Sequence, residues 1–119
     1  MHELGIILSL ADTLKETARE NHVSGIVSVT LGIGEVSGVV PEYLTDCWQY
    51  FRKKDPLFAG ADLKIETLPA VTFCRSCHGT YETVRYGRAC PLCGSEDTFL
   101  LKGTELIIHE IEAVSEEGD

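Results

Sequence analysis

Two Cys-x-x-Cys pairs, Cys74-Arg-Ser-Cys77 and Cys90-Pro-Leu-Cys93, are separated by twelve residues. Two residues between thiolates let both sulfurs of a tight turn face one ion, and two such turns close a tetrahedral four-sulfur shell. This predicts a structural Zn(II) held by Cys74, Cys77, Cys90 and Cys93. A closed shell leaves no position for substrate, so the metal should stabilise rather than catalyse. Gly79 and Gly94 follow the pairs, where turns need unusual backbone angles and amides must approach sulfur. Other readings compete. Cys74 to His78 also spells a c-type haem attachment motif, but that needs an exported chain and leaves Cys90 and Cys93 unused. A thioredoxin-like redox pair would not bring a second pair at this spacing. His78 could replace a thiolate; with four cysteines present, an exposed turn histidine is the plainer expectation.

A second set of donors opens the chain. Met1-His2-Glu3 offers a free amine, an imidazole and a carboxylate in three residues. Methionine removal generally requires a small second residue, so the bulky His2 should preserve Met1 and its amine. The amine, the His2 main-chain nitrogen and the imidazole can form adjacent chelate rings. Planar sets of nitrogen donors suit Ni(II) and Cu(II). The first four N–H groups of a helix lack intrahelical acceptors, so the His2 and Glu3 amides can lose a proton to metal without breaking a helical bond. A cation there meets the positive pole of the helix. Glu3 would offset this, either as a ligand or as a nearby charge. The amine titrates at about 7.7–8.0 and the imidazole at about 6.5, so protons should compete with the metal through that window.

These donors need elements to carry them. Leu4, Ile7, Leu8, Ala11, Leu14 and Ala18 recur at steps of three and four, predicting a helix from about residue 3 to 20 with that apolar face. Asn21-His22 and Gly25 read as its stop. Val27, Val29, Leu31 and Ile33 alternate with small residues, predicting a half-buried strand whose glycines admit a close neighbour. Gly32, Gly34 and Gly38 miss the dinucleotide-binding spacing. Pro41 suits the first turn of a second helix, on which Leu44, Cys47, Trp48 and Phe51 share a stripe. Cys47 is therefore expected as a core thiol. A second strand runs through Leu63 and Ile65 and ends near Pro69. A third spans about Glu105 to Ala113, with Ile107, His109, Ile111 and Ala113 on one face. Residues 72–97, rich in Cys, Gly and polar types, break the pattern.

The predicted fold is α+β: two helices packed on a small three-stranded sheet, with an inserted zinc-ribbon-like subdomain. Residues 1–70 plus 104–114 form the α+β domain, 71–103 the metal subdomain, and 115–119 an acidic tail. The 119 residues, 44% hydrophobic and 24% charged, suit a modest globular core. A net charge of −9 repels phosphate backbones and argues against general nucleic-acid binding. No apolar run approaches the ~20 residues of a membrane span, and no secretory signal opens the chain, so a cytoplasmic location is expected. An odd number of cysteines argues against a disulfide framework. No nucleophile–base pairing stands at readable spacing, so no enzymatic activity is expected.

Met1-His2-Glu3, Ile33-Gly-Glu35 with Val36-Ser-Gly38, Leu63-Lys-Ile65-Glu66, the two cysteine pairs with Gly94-Ser95, and Gly103-Thr-Glu105-Leu106 occur together and in order. In this combination the chain closely resembles the HypA/HybF family of hydrogenase maturation factors, from residue 1 to about 114. The resemblance implies a nickel metallochaperone. It would pass Ni(II) to the [NiFe]-hydrogenase large subunit together with the GTPase HypB, and in some bacteria would also serve urease through its accessory proteins. It places the nickel site on Met1, His2 and Glu3 and the structural zinc on the four cysteines. Some members carry a histidine after each cysteine pair; this chain has His78 after the first and Gly94 after the second. The rival reading is a zinc-ribbon interaction module without nickel transfer.

Overall fold

A computed structural model describes residues 3–115. The expectations for Met1 and His2, and for 116–119 of the tail, lie outside the described residues. The elements are α1 (Glu3–Glu20), β1 (Val23–Gly34), α2 (Pro41–Phe51) continued by a 3-10 turn (Arg52–Lys54), β2 (Asp62–Leu68), β3 (Val71–Cys74), β4 (Thr80–Glu82), α3 (Thr83–Tyr86), β5 (Thr98–Lys102) and β6 (Leu106–Ser115). They form two three-stranded sheets, ordered β2-β1-β6 and β4-β3-β5. The fold is α+β, as expected. The second sheet and short α3 go beyond the expectation, because strands of three to five residues are too short to show a period. No helix among the described residues is long and apolar enough to cross a membrane.

The chain divides into two compact units: 1–31, 39–65 and 108–119 in one, 32–38 and 66–107 in the other. In the first, α1 buries Glu3, Ile7, Leu10, Ala11, Leu14 and Ala18. Leu4 and Leu8, expected inside, are 53% and 47% exposed. The reason is angular. The six buried positions fall within a stripe of about 100° around the helix, and Leu4 and Leu8 lie beyond its edge. On α2, Leu44 and Trp48 are fully buried. Cys47, expected in the core, is half-buried, as is Phe51. The loop after α2 completes this core. Phe58 is fully buried, its ring 5.6 Å from Trp48 and 6.2 Å from Phe51. The Trp48 indole N–H and the Arg52 guanidinium both donate to the Ala61 carbonyl at 2.9 Å, so the polar edge of the buried ring is satisfied.

Helix α1 ends where expected, but His22 rather than Gly25 takes the left-handed conformation, at φ 55°. β1 is buried on both faces from Ser28 to Gly34, not on one. As the central strand it is covered by side chains from its neighbours. Ser28 donates to the Glu112 carboxylate at 2.6 Å, and Lys64 stands 3.6 Å from the same group. β6, at the sheet edge, is exposed throughout except at Ile111, which is half-buried, so its expected apolar face is not a buried one.

In the second unit, residues 34–36 grip the segments entering and leaving the cysteine region. Gly34 and Val36 donate main-chain bonds to Glu105 and Gly103, and Glu35 to Leu68, at 2.8, 2.9 and 2.9 Å. The Glu35 carboxylate accepts the Ala70 amide at 2.7 Å, and Glu105 that of Gly103 at 2.8 Å. A Cβ on Gly34 would overlap the Gly103 main chain, which is the close approach its glycine permits. β3 pairs antiparallel with β4 and with β5, setting Phe73 opposite Thr80 and Phe99, and Cys74 opposite Thr98.

Candidate metal centres

Each cysteine pair sits on a turn of the same design. His78 N–H bonds the Cys74 carbonyl, and Gly94 N–H the Cys90 carbonyl, both at 2.8 Å. The chain then returns: the Cys74 amide donates to Gly79 and the Cys90 amide to Ser95, both at 2.9 Å. The residue after each pair is left-handed, His78 at φ 63° and Gly94 at 77°. The unusual backbone angle therefore falls on Gly94 and not on Gly79, whose N–H approaches the Cys77 sulfur as expected and whose Cβ position is crowded. A Cβ there would stand 2.8 Å from the Leu92 side chain and 3.4 Å from the Cys77 sulfur. His78 pays the conformational cost of its position and stacks on Phe73, with centroids 6.0 Å apart. It is exposed, and the metal-capable cluster among the described residues consists of the four cysteines without it.

The cluster suits a tetrahedral ion. All four sulfurs lie within 4.8 Å of one another. Cys74 and Cys93 are 3.6 Å apart, Cys77 and Cys90 3.7 Å. A tetrahedral shell with metal–sulfur bonds of about 2.3 Å has edges of about 3.8 Å. Cys74 and Cys90 are buried, while Cys77 and Cys93 face outward.

The thiols are electrically unequal. The main-chain N–H of Cys77 stabilises the Cys74 thiolate and draws its pKa down to about 7, against the opposing effect of burial. At Cys93 the Ser95 N–H also pulls downward, but crowding by Cys74, burial, and the Cys90 and Cys77 sulfurs together push it up to about 12. Cys77 has the Gly79 N–H acting downward; burial and the sulfurs of Cys90 and Cys74 outweigh it and raise the thiol. One thiolate forms readily and its neighbours resist becoming a second. A bound dication removes that resistance by neutralising the shell.

The amino-terminal donors are only partly visible. Met1 and His2 are outside the described residues, so the structure begins at Glu3. That residue is 8% exposed, and its carboxylate accepts the Val40 amide at 3.2 Å across 37 residues. Sequence reasoning missed this contact; nothing local to "MHEL" refers to position 40.

Comparison with known proteins decides the family. The family model described as hydrogenase/urease nickel incorporation, metallochaperone, hypA, matches residues 1–113. The chain belongs to the HypA family. Among relatives, it is 40% identical to the hydrogenase maturation factor HypA of Deinococcus radiodurans over 107 residues, covering 89% of this chain and 88% of that one. It is 35% identical to that of Geobacter metallireducens over 112 residues, covering 94% and 98%. The solution structure of the Ni metallochaperone HypA from Helicobacter pylori superposes with a TM-score of 0.72 at 25% identity, covering 97% of this chain and 99% of that chain. HypA-family membership makes this a nickel-incorporation metallochaperone for hydrogenase maturation, and its four-cysteine cluster fits a metal site.

Proposed function

We propose that this chain carries Ni(II) on Met1, His2 and Glu3 and delivers it to the large subunit of a [NiFe]-hydrogenase. The observation that carries this reading is the family match running from residue 1, which includes the donor-bearing start of the chain. The nitrogen-rich chelate at residues 1–3 suits nickel, and its competition with protons keeps binding reversible, as delivery requires. HypB is the partner GTPase in this scheme, with urease accessory proteins as further acceptors, and transfer takes place in the cytoplasm. The chain performs no catalysis; it binds, holds and releases.

Zn(II) is the resident ion of Cys74, Cys77, Cys90 and Cys93 in this reading. Its part is to bind the two turns into one unit at 71–103, beside an α+β domain of 1–70 and 104–114. The sulfur spacing, and a cluster that among the described residues consists of four cysteines, support a closed, structural site.

The test compares untagged parent protein with His2→Ala, titrated with Ni(II) while bound nickel and zinc are both measured. The carrier reading expects nickel affinity to fall by more than about 100-fold, since losing even an outer-shell partner of a metal costs 10–100-fold, with zinc retained. Nickel binding that survives His2→Ala would return the chain to the rival reading, a zinc-ribbon interaction module.

A further inference from the structure

We propose that Ser76 and Ser95 form a positioning latch for the metal in the four-cysteine cluster, locking the first Cys-x-x-Cys turn to the chain that leaves the second and so slowing release of the ion. This rests on the zinc reading above and deepens it.

The two turns are built alike, position for position. Gly79 and Ser95 each stand two residues beyond a cysteine pair. Each accepts the amide of its own pair's first cysteine at 2.9 Å, and each turns its N–H toward the sulfur of the second. They are thus the residues that steady the exposed ligands Cys77 and Cys93. The residue just before the second cysteine of one pair reaches across to the other pair's steadying residue. Ser76 donates its hydroxyl to the Ser95 hydroxyl oxygen at 2.8 Å. Leu92, at the position equivalent to Ser76, lies over Gly79, its Cδ1 2.8 Å from where a Cβ would stand.

The two links differ in kind. On the Ser76 side, the Ser95 hydroxyl oxygen also accepts the Asp97 amide at 3.0 Å. The Arg75 amide donates to the Asp97 carbonyl at 3.0 Å, and the Arg75 guanidinium stands 3.7 Å from the Asp97 carboxylate. On the other side, Pro91 takes the place of Arg75 and has no N–H to give. Leu92 is 70% exposed, so its contact keeps little surface from water. Directional bonds fix a geometry, whereas an exposed apolar contact can slide. Each turn supplies two ligands, so the turns must part for an ion to leave a closed shell. The Ser76–Ser95 bond spans the gap that has to widen. Because the bond is exposed, it acts on the rate of opening by a few-fold and does not decide whether the ion binds.

The experiment uses the full chain loaded with Zn(II): parent, Ser76→Ala, Ser95→Ala, the double variant, Ser76→Thr and Leu92→Ala. Zinc transfer is timed at chelator concentrations where the rate no longer depends on the chelator, and Ser95 amide exchange is followed by NMR. Ser76→Ala should speed both zinc transfer and Ser95 exchange about fivefold. Ser95→Ala should speed transfer at least as much, because it also removes the acceptor of the Asp97 amide. The double variant should be no faster than Ser95→Ala, since both changes break one bond. Ser76→Thr keeps the hydroxyl and should stay within about twofold of the parent. Leu92→Ala should do the same, its contact being exposed.

Unchanged zinc transfer in Ser76→Ala overturns the proposal, even if Tm falls, because a merely structural bond would do that. Effects of the two serines that multiply in the double variant overturn it as well. So does a Ser76→Thr or Leu92→Ala protein that releases zinc as fast as Ser76→Ala. If the parent takes up no zinc, the zinc reading itself fails and this proposal with it, while Ser95 exchange in the parent and Ser76→Ala reports separately whether the latch exists.

Discussion

The four cysteines and the amino-terminal donors solve the same problem by opposite means. Each cysteine pair is preorganised locally: a five-residue turn closes on its own hydrogen bonds, and the two turns come together through β3 and the chain that follows. The amino-terminal donors are consecutive residues that need no turn to bring them together. Where the described residues begin, the Glu3 carboxylate is bonded to an amide far along the chain. A closed shell built from two turns favours retention. The open chelate proposed for the first residues would favour exchange.

The largest expected effect comes from breaking the closed shell. Cys90→Ser removes a buried ligand and leaves three thiols without a tetrahedral partner. Binding of structural zinc in small domains is worth about 10–16 kcal/mol, so with zinc as the proposed ion this variant should lose metal and the slow amide exchange of β3 and β5. The α1 amides should stay protected, because Ile7, Leu14 and Trp48 form a core that contains no sulfur ligand. Two-dimensional NMR exchange measures both. Loss of α1 protection would show that the two regions stand or fall together.

A pH titration is next in size. Cys77 is raised above its ordinary value and Cys93 lies at about 12, so both are protonated between pH 7 and 8 in the metal-free cluster. Each must lose its proton to bind metal. Conditional zinc affinity should therefore rise at least about a hundredfold per pH unit across that window, and fall correspondingly on acidification. Competition against a chelator of known pH dependence reads the slope. A slope near zero would mean that the thiols are already ionised and the crowding argument is wrong. If residues 1–3 hold nickel as proposed, its occupancy should likewise fall from pH 8 to pH 6 as the amine and imidazole take up protons.

The smallest effects concern the turns. Gly94→Ala puts a side chain on a left-handed residue and should cost about 1 kcal/mol of zinc-bound stability, without loss of metal. Gly79→Ala meets the end of the exposed Leu92 side chain, which can move aside, and the Cys77 sulfur at an ordinary 3.4 Å, and should cost less than about 0.5 kcal/mol. Chemical denaturation of the two variants side by side checks the order; its reversal would mean that space beside the sulfurs matters more than backbone angle.

Much of this was legible beforehand, and the reason is locality. A Cys-x-x-Cys pair specifies its own turn, so the four sulfur positions could be read from spacing alone. Both long helices were visible because their apolar steps repeat over several turns. Leu4 and Leu8 were misplaced because steps of three and four describe a broad arc, and only tertiary packing, against α2 among others, selects which part is buried. β3, β4 and β5 were invisible as strands, since so few residues carry no measurable alternation. Phe58 looked like part of a loop because nothing periodic surrounds it, yet it fills the centre of the core beside Trp48.

The amino-acid sequence by itself determined two things: four thiols in two self-closing turns, which fit a metal site, and three nitrogen donors in consecutive residues at its start, which are proposed to hold nickel. Short-range covalent geometry suffices for both. Only the tertiary structure decided how those atoms are held. That His78 takes the left-handed place, that Glu35 and Gly103 clasp the segments around the cysteine unit, and that Glu3 caps a helix 37 residues away all depend on partners distant in sequence. A hydrogen bond across a folded chain leaves no spacing to read, because its partners are brought together only when the core forms.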